Sequence, residues 1–141
     1  MVLSATTFST AALPAGRHTI TARYAGDANN AASTSPAMTL RIRRAATKAA
    51  ISVTPRKPKD GEPVRVEARF TAVAPSSAKP NGKVVVRAGG GKVGKFKLKN
   101  GKMKIRLPGL KSGKHEIKAV FRRTGNWKKS RAEKTVTVKK P

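Results

Sequence analysis

Cysteine is absent from the 141 residues and acids are scarce: six Asp and Glu stand against 32 Lys and Arg, a net charge of +26. Without cysteine there are no disulfide frameworks, thiolate metal sites or cysteine nucleophiles. The six acids are scattered singly, so the sequence assembles neither a calcium cage nor a two-carboxylate site, and only two His accompany them. Aromatics are sparse, with one Trp and one Tyr. No apolar run exceeds three residues, as at Val84–Val86, far short of the roughly 20 that a membrane-spanning helix needs. The Met1–Thr7 start lacks a basic segment followed by an apolar one, so any export signal is expected upstream.

The charge that is present is unevenly spread. Residues 1–44 carry five arginines against Asp27, whereas residues 45–141 carry 27 basic residues against five acids. Composition turns from Ala/Ser/Thr-rich to Lys-rich near Arg43–Lys48, which reads as a short linker.

Period-two alternation dominates the second part, as a half-buried strand requires, because successive side chains point to opposite faces. Val64, Val66, Ala68, Phe70 and Ala72 alternate with polar residues, as do Phe96 and Leu98, then Met103, Ile105 and Leu107. The pattern returns at His115, Ile117, Ala119 and Phe121, and at Val136 and Val138. With Ala50–Thr54 and Val84–Ala88 this predicts about seven strands and no helix, an all-β sandwich. Its expected core includes Phe70, Val84, Val86, Ile105, Ile117, Ala119, Phe121, Val136 and Val138. Asn100-Gly101 between two alternating runs predicts a hairpin turn, since both central positions need positive φ.

The chain also repeats itself. Leu13–Tyr24 aligns with Leu110–Phe121 at an offset of 97 residues, with Leu, Gly, His, Ile and Ala identical; Asn29 and Ser33 match Asn126 and Ser130. After a one-residue slip, Thr39–Ile42 matches Thr135–Val138.

The Leu13–Asp27 run and residues 29–35 resemble the carboxy-terminal half of a bacterial immunoglobulin-like repeat. Residues 47–138 resemble a complete copy, through the extended Pro63–Ala74 stretch, the Pro80–Val84 strand entry and the Asn100-Gly101 hairpin. The resemblance implies an immunoglobulin-like β-sandwich of about seven strands over 45–141, preceded by a truncated copy over 1–44. That copy is expected to supply three strands, Leu3–Ser9, Arg17–Tyr24 and Ala37–Arg43, as if the chain began partway through a longer protein. Such repeats stand in series as spacers, stalks or adhesive modules on secreted and surface proteins. The chain departs from the usual pattern at Arg122-Arg123-Thr124, where the first copy has Ala25-Gly26-Asp27.

Few positions suggest chemistry. Gly89–Lys95 has the spacing of a phosphate-binding loop, but that mechanism needs a helix after the glycines, and here strand alternation continues with Phe96 where a Ser or Thr would hold magnesium. His18 and His115 occupy equivalent positions without an acidic partner or nucleophile in the motif, which favours a structural role at the strand entrance. Trp127 reads as a plug at the sandwich end. The expectation is therefore a non-enzymatic module with no catalytic residue, metal or cofactor.

The lysines exceed what a fold requires. Lys95, Lys97, Lys99, Lys102, Lys104, Arg106, Lys111, Lys114 and Lys118 fall on outward parities of successive strands, where like charges repel unless salt or an anion offsets them. Two readings stand side by side: a polyanion-binding face for teichoic acid, acidic polysaccharide or nucleic acid, or a solvated face that preserves solubility and blocks edge pairing. Residues 1–44, with unpaired strand edges, are expected to offer strand-mediated self-association.

Overall fold

Every regular element of the computed structural model, which describes residues 6–141, is a strand. The chain divides between Arg44 and Ala45 into two units. The first holds β1 (Gly16–Ile20), β2 (Arg23–Tyr24), β3 (Ser33–Thr34) and β4 (Met38–Ile42). The second holds β5 (Thr47–Thr54), β6 (Val64–Ala72), β7 (Lys83–Ala88), β8 (Gly91–Lys97), β9 (Lys102–Leu107), β10 (Gly113–Phe121) and β11 (Ser130–Val138).

In the second unit the strands form two antiparallel sheets, ordered β5-β6-β9 and β11-β10-β7-β8. Alternation decides which side chains meet between them. Val64, Val66, Ala68 and Phe70 of β6 face Val84 and Val86 of β7 and Ile117, Ala119 and Phe121 of β10 in one buried cluster. At its centre the rings of Phe70 and Phe121 lie 5.4 Å apart at 42°, a tilted contact worth about 0.5–1.5 kcal/mol beyond the area it buries. Val136 and Val138 are buried too, while Ile105 only packs half-buried against the cluster.

Backbone pairing closes the sides. Ala45, ahead of β5, forms a parallel bridge with Trp127, and Lys59 forms another with Lys139. Trp127 is buried and donates its indole N–H to Asn81 Oδ1 at 3.2 Å.

Three strands run differently from the sequence expectation. β5 begins three residues earlier than Ala50, and β11 five earlier than Thr135. The early part of β11 places Ala132 and Lys134 opposite Ala119 and Ile117, so its register comes from β10 and not from an apolar alternation of its own. Meanwhile β8 begins inside the glycine run: Gly89 and Gly90 turn with positive φ and Gly91 opens a strand, not a helix.

Asn100 and Gly101 adopt φ of 52° and 75°, and Lys99 and Lys102 exchange backbone hydrogen bonds of 2.9 and 3.0 Å across the turn. A side chain at Gly101 would meet the Phe70 carbonyl oxygen at 2.6 Å, so glycine is needed for space as well as dihedral. The hairpin stops at that one bridge. β8 takes its ladder from β7 and β9 from β6, so the turn carries the chain from one sheet to the other.

In the first unit, the expected Leu3–Ser9 strand lies partly outside the described residues, and residues 6–9 form none. Arg17–Tyr24 is interrupted at Thr21-Ala22, giving β1 paired with β4 and β2 paired with β3. The registers explain the slip in the repeat. Tyr24 opposes Ser33 as Phe121 opposes Ser130, at an offset of 97 on both strands. Ile20 opposes Met38 whereas Ile117 opposes Lys134, one residue short of that offset. The extra residue lies around Ser35-Pro36-Ala37, where Pro36 has no N–H to give a ladder, so the hairpin bulges and splits in two. Ser35 bridges the gap by donating its N–H to the Ala22 carbonyl and accepting the Ala22 N–H on its hydroxyl.

Asp27 organises the turn of this hairpin. Its carboxylate accepts the Tyr24 hydroxyl at 2.6 Å, the N–H groups of Asn29 and Asn30 at 2.8 Å, and the Asn30 amide. These bonds favour the charged form, led by that from Tyr24, and hold its pKa at about 2, below the ordinary 3.8. The same bond raises the Tyr24 pKa.

Two outcomes follow. Phe121→Ala should destabilise the sandwich by about 3–5 kcal/mol, read by urea unfolding on the fluorescence of Trp127, the only Trp, which reports this unit alone; an unchanged midpoint would contradict the core assignment. Because the Asp27 pKa is lowered on folding, its support of the turn is present above pH 3.8 and lost as pH falls through about 2. The amide resonances of Asn29 and Asn30 should hold constant from pH 7 to about 5 and move with that midpoint, and Asp27→Asn should abolish the transition.

Candidate functional site

The nine basic residues of the sequence analysis separate onto three parts of the sandwich. Lys95 and Lys97 lie on β8, an edge of the four-stranded sheet; Lys102, Lys104 and Arg106 lie on β9, an edge of the three-stranded sheet, and Lys99 lies at the turn between the two strands. Lys114 and Lys118 sit on β10, inside the four-stranded sheet, and Lys111 in the loop before it. They do not form one continuous lysine sheet, because β8 and β9 belong to different layers.

The turn at Asn100-Gly101 nevertheless brings four of them together. Lys97, Lys99, Lys102 and Lys104 line a groove of about 400 Å³ along the open side of the sandwich, with Phe96 and Met103 between them. Alternation produces this arrangement: Phe96 is half-buried and Met103 buried, so their neighbours must face solvent. All four lysines are exposed. Among the described residues, only Lys104 of the four makes an ion pair, with Glu67 at 3.6 Å.

The cross-strand partners are more mixed than the pattern of lysines predicted. Lys97 opposes Lys83, Lys102 opposes Arg69 and Arg106 opposes Arg65, all of like charge. Lys104 opposes Glu67, and Lys118 opposes Glu133, with ion pairs to Glu133 at 3.7 Å and Glu116 at 3.2 Å. Lys95 opposes Val85.

A second basic concavity was not anticipated. On the outer face of the four-stranded sheet Val85 and Val120 oppose each other, and Arg87, Arg122, Arg123 and Lys129 border an open hollow of about 510 Å³ over them. The sequence signal was the Arg122-Arg123 departure from the first copy; the contribution of Arg87 depends on strand order, which alternation alone does not give.

The histidines have a shared structural role. His18 Nε2 donates to the Pro14 carbonyl and His115 Nε2 to the Lys111 carbonyl, both at 2.7 Å and both four residues back. Each ring thereby pins the loop that enters the strand.

Among the described residues no helix is long and apolar enough to cross a membrane. No curated protein matches the chain. A solved structure of fibronectin(III)-like modules of Clostridium thermocellum CbhA is similar at a TM-score of 0.49 and 14% identity, over 89% of this chain and 64% of that one. The profile of the bacterial Ig-like domain (group 3) matches residues 2–43 and again 51–139. Two matches spanning most of the sequence, and two hairpins that share their register next to the turn, the bond that closes it and the histidine bond, lead to one conclusion: the chain belongs to the bacterial Ig-like domain family, with a partial copy followed by a complete one.

Proposed function

We propose that this protein is a non-enzymatic spacer or stalk module of a secreted or cell-surface bacterial protein, and that its complete copy holds an anionic cell-wall polymer, teichoic acid or acidic polysaccharide, along the β8–β9 groove. Membership of a bacterial immunoglobulin-like family supports the structural role. The observation that carries the polymer is the groove itself, where four exposed lysines converge and only one is engaged by an acid. Maintaining that convergence costs electrostatic energy, which an anionic chain lying in the groove recovers by displacing its own counterions.

The groove is an edge, and an unguarded edge recruits strands from other chains. A solvated, edge-protecting role is therefore the competing reading, and binding separates the two. Binding of teichoic acid should weaken steeply as salt rises. Replacing Lys97, Lys99, Lys102 and Lys104 with Ala should lower affinity and flatten the salt slope by up to about 0.7–0.9 per contact removed. No binding at low ionic strength would leave edge protection as the explanation, and stronger binding of DNA than of teichoic acid would move the partner to nucleic acid.

The first unit supports a further role in self-association. It exposes Phe8, Ile20, Tyr24, Met38 and Leu40 on or beside two-stranded sheets, which offer little burial of their own. Sedimentation should show concentration-dependent association that Ile20→Lys with Leu40→Lys abolishes; a monomer at all concentrations would refute it.

A further inference from the structure

We propose that the concavity over Val85 and Val120 is a discrete binding site for a phosphate monoester carried on a sugar or polyol. This inference is independent of the β8–β9 groove and of any polymer bound there.

Comparison of the two copies within the chain carries the first step. The turn joining β10 to β11 is closed by the same backbone bond as the turn joining β2 to β3, with Thr124 donating its N–H to the Trp127 carbonyl at 3.1 Å as Asp27 does to the Asn30 carbonyl at 2.9 Å, although Gly26 has a φ of 84° that Arg123 does not share. At an offset of 97, Arg122, Arg123 and Lys129 stand where the first copy has Ala25, Gly26 and Ala32, and Thr124 stands in place of Asp27. The fold of this hairpin therefore does not require the cations. The second copy has added three of them and dropped the one acid. Val120 in turn replaces Arg23, so an apolar residue takes the centre and cations move to the rim.

The surroundings supply the second step. Arg87 adds a third guanidinium from β7. Among the described residues none of the four cations is in an ion pair, and Lys118 engages Glu116 and Glu133, the acids on β10 and β11. Guanidinium groups recognise phosphate through paired, charge-assisted N–H bonds. A monoester near neutral pH carries roughly two negative charges and three acceptor oxygens, enough to engage several forks at once.

The third step is shape. Val85 points outward yet is only 5% exposed. The hollow, about 510 Å³ and open to solvent, exceeds what a phosphate fills. A carbon skeleton with a C–H face suits the half-buried Val120, while its phosphate reaches the rim.

The test uses glucose 6-phosphate, glucose 6-sulfate and glucose with the full chain at about 150 mM salt, where diffuse attraction is screened. Glucose 6-phosphate should give saturable amide shifts centred on Val85, Val120, Arg122 and Arg123, at least 10-fold tighter than the sulfate and absent with glucose. Binding should weaken on acidification through the phosphate's second pKa near 6. Arg122→Ala, Arg123→Gly and Lys129→Ala together restore the first copy's residues and should cost at least 10-fold, while Trp127 fluorescence verifies the fold. The four-lysine groove variant should stay within about twofold. Equal losses in the two variants, sulfate binding as tight as phosphate, or shifts spread over the basic surface without saturation would overturn the site. A glycan bearing 6-phosphate monoesters distinguishes the source: tighter binding per phosphate than glucose 6-phosphate assigns the site to a polymer, and equal binding to the free sugar phosphate.

Discussion

Burial of Phe70 against Phe121 is the contact on which the complete copy depends, since it joins a strand of each sheet at the point where both layers are fully dry. Two rings at that point demand that their strand neighbours face outward, and alternation spreads the demand along β6, β7 and β10. The core is otherwise mainly Val, Ile, Leu and Ala, with Met103 and Trp127 closer to the sides. A single one-residue slip of β6 would turn Phe70 into solvent and Arg69 and Arg65 into the core, so register is strongly specified.

That same demand concentrates charge. With apolar side chains committed to the interior, the 27 basic residues of this unit must share outward positions and loops. Several directly opposed pairs have like charge, each costing a few tenths to about 1 kcal/mol. Glu67 lies opposite Lys104 and beside Arg69, and Lys118 lies between two glutamates, so the few acids sit where they relieve central strands. Apart from Lys104, the basic residues along the edge at β8 and β9 and those on the rim around Val120 are left without such relief among the described residues. Charge excess is thus localised by where the acids are as much as by where the lysines are.

Much of this was legible in the sequence because period two is a local signal. Val64–Ala72 and Lys102–Leu107 could be read from their own residues, as could the turn at Asn100-Gly101, whose dihedrals matched the expectation. What could not be read was which strands become neighbours. Assigning Lys95–Leu107 to one hairpin placed its lysines on a common face, whereas the turn divides them between sheets, a choice set by which partner ladder each strand joins. The start of β11 was hidden for the same reason, since Lys134 on an inward parity makes sense only beside β10. The repeat carried more information than either copy alone: its one-residue slip was a bulge, visible in sequence as an offset that failed to hold.

The two hairpins also show how turns closed by the same backbone bond tolerate opposite electrostatics. In the first copy a carboxylate at Asp27 gathers the N–H groups of the turn, so the loop carries its own anion. In the second the same turn closes by its backbone bond and by Trp127, whose ring is buried in the core and whose N–H reaches Asn81. Once an indole anchors the loop, the acid is no longer needed to shape it, and its removal takes away the charge that would neutralise arginines placed alongside. Packing thereby frees a surface position from a structural duty, and the freed position sets the sign of the field that an approaching ligand meets.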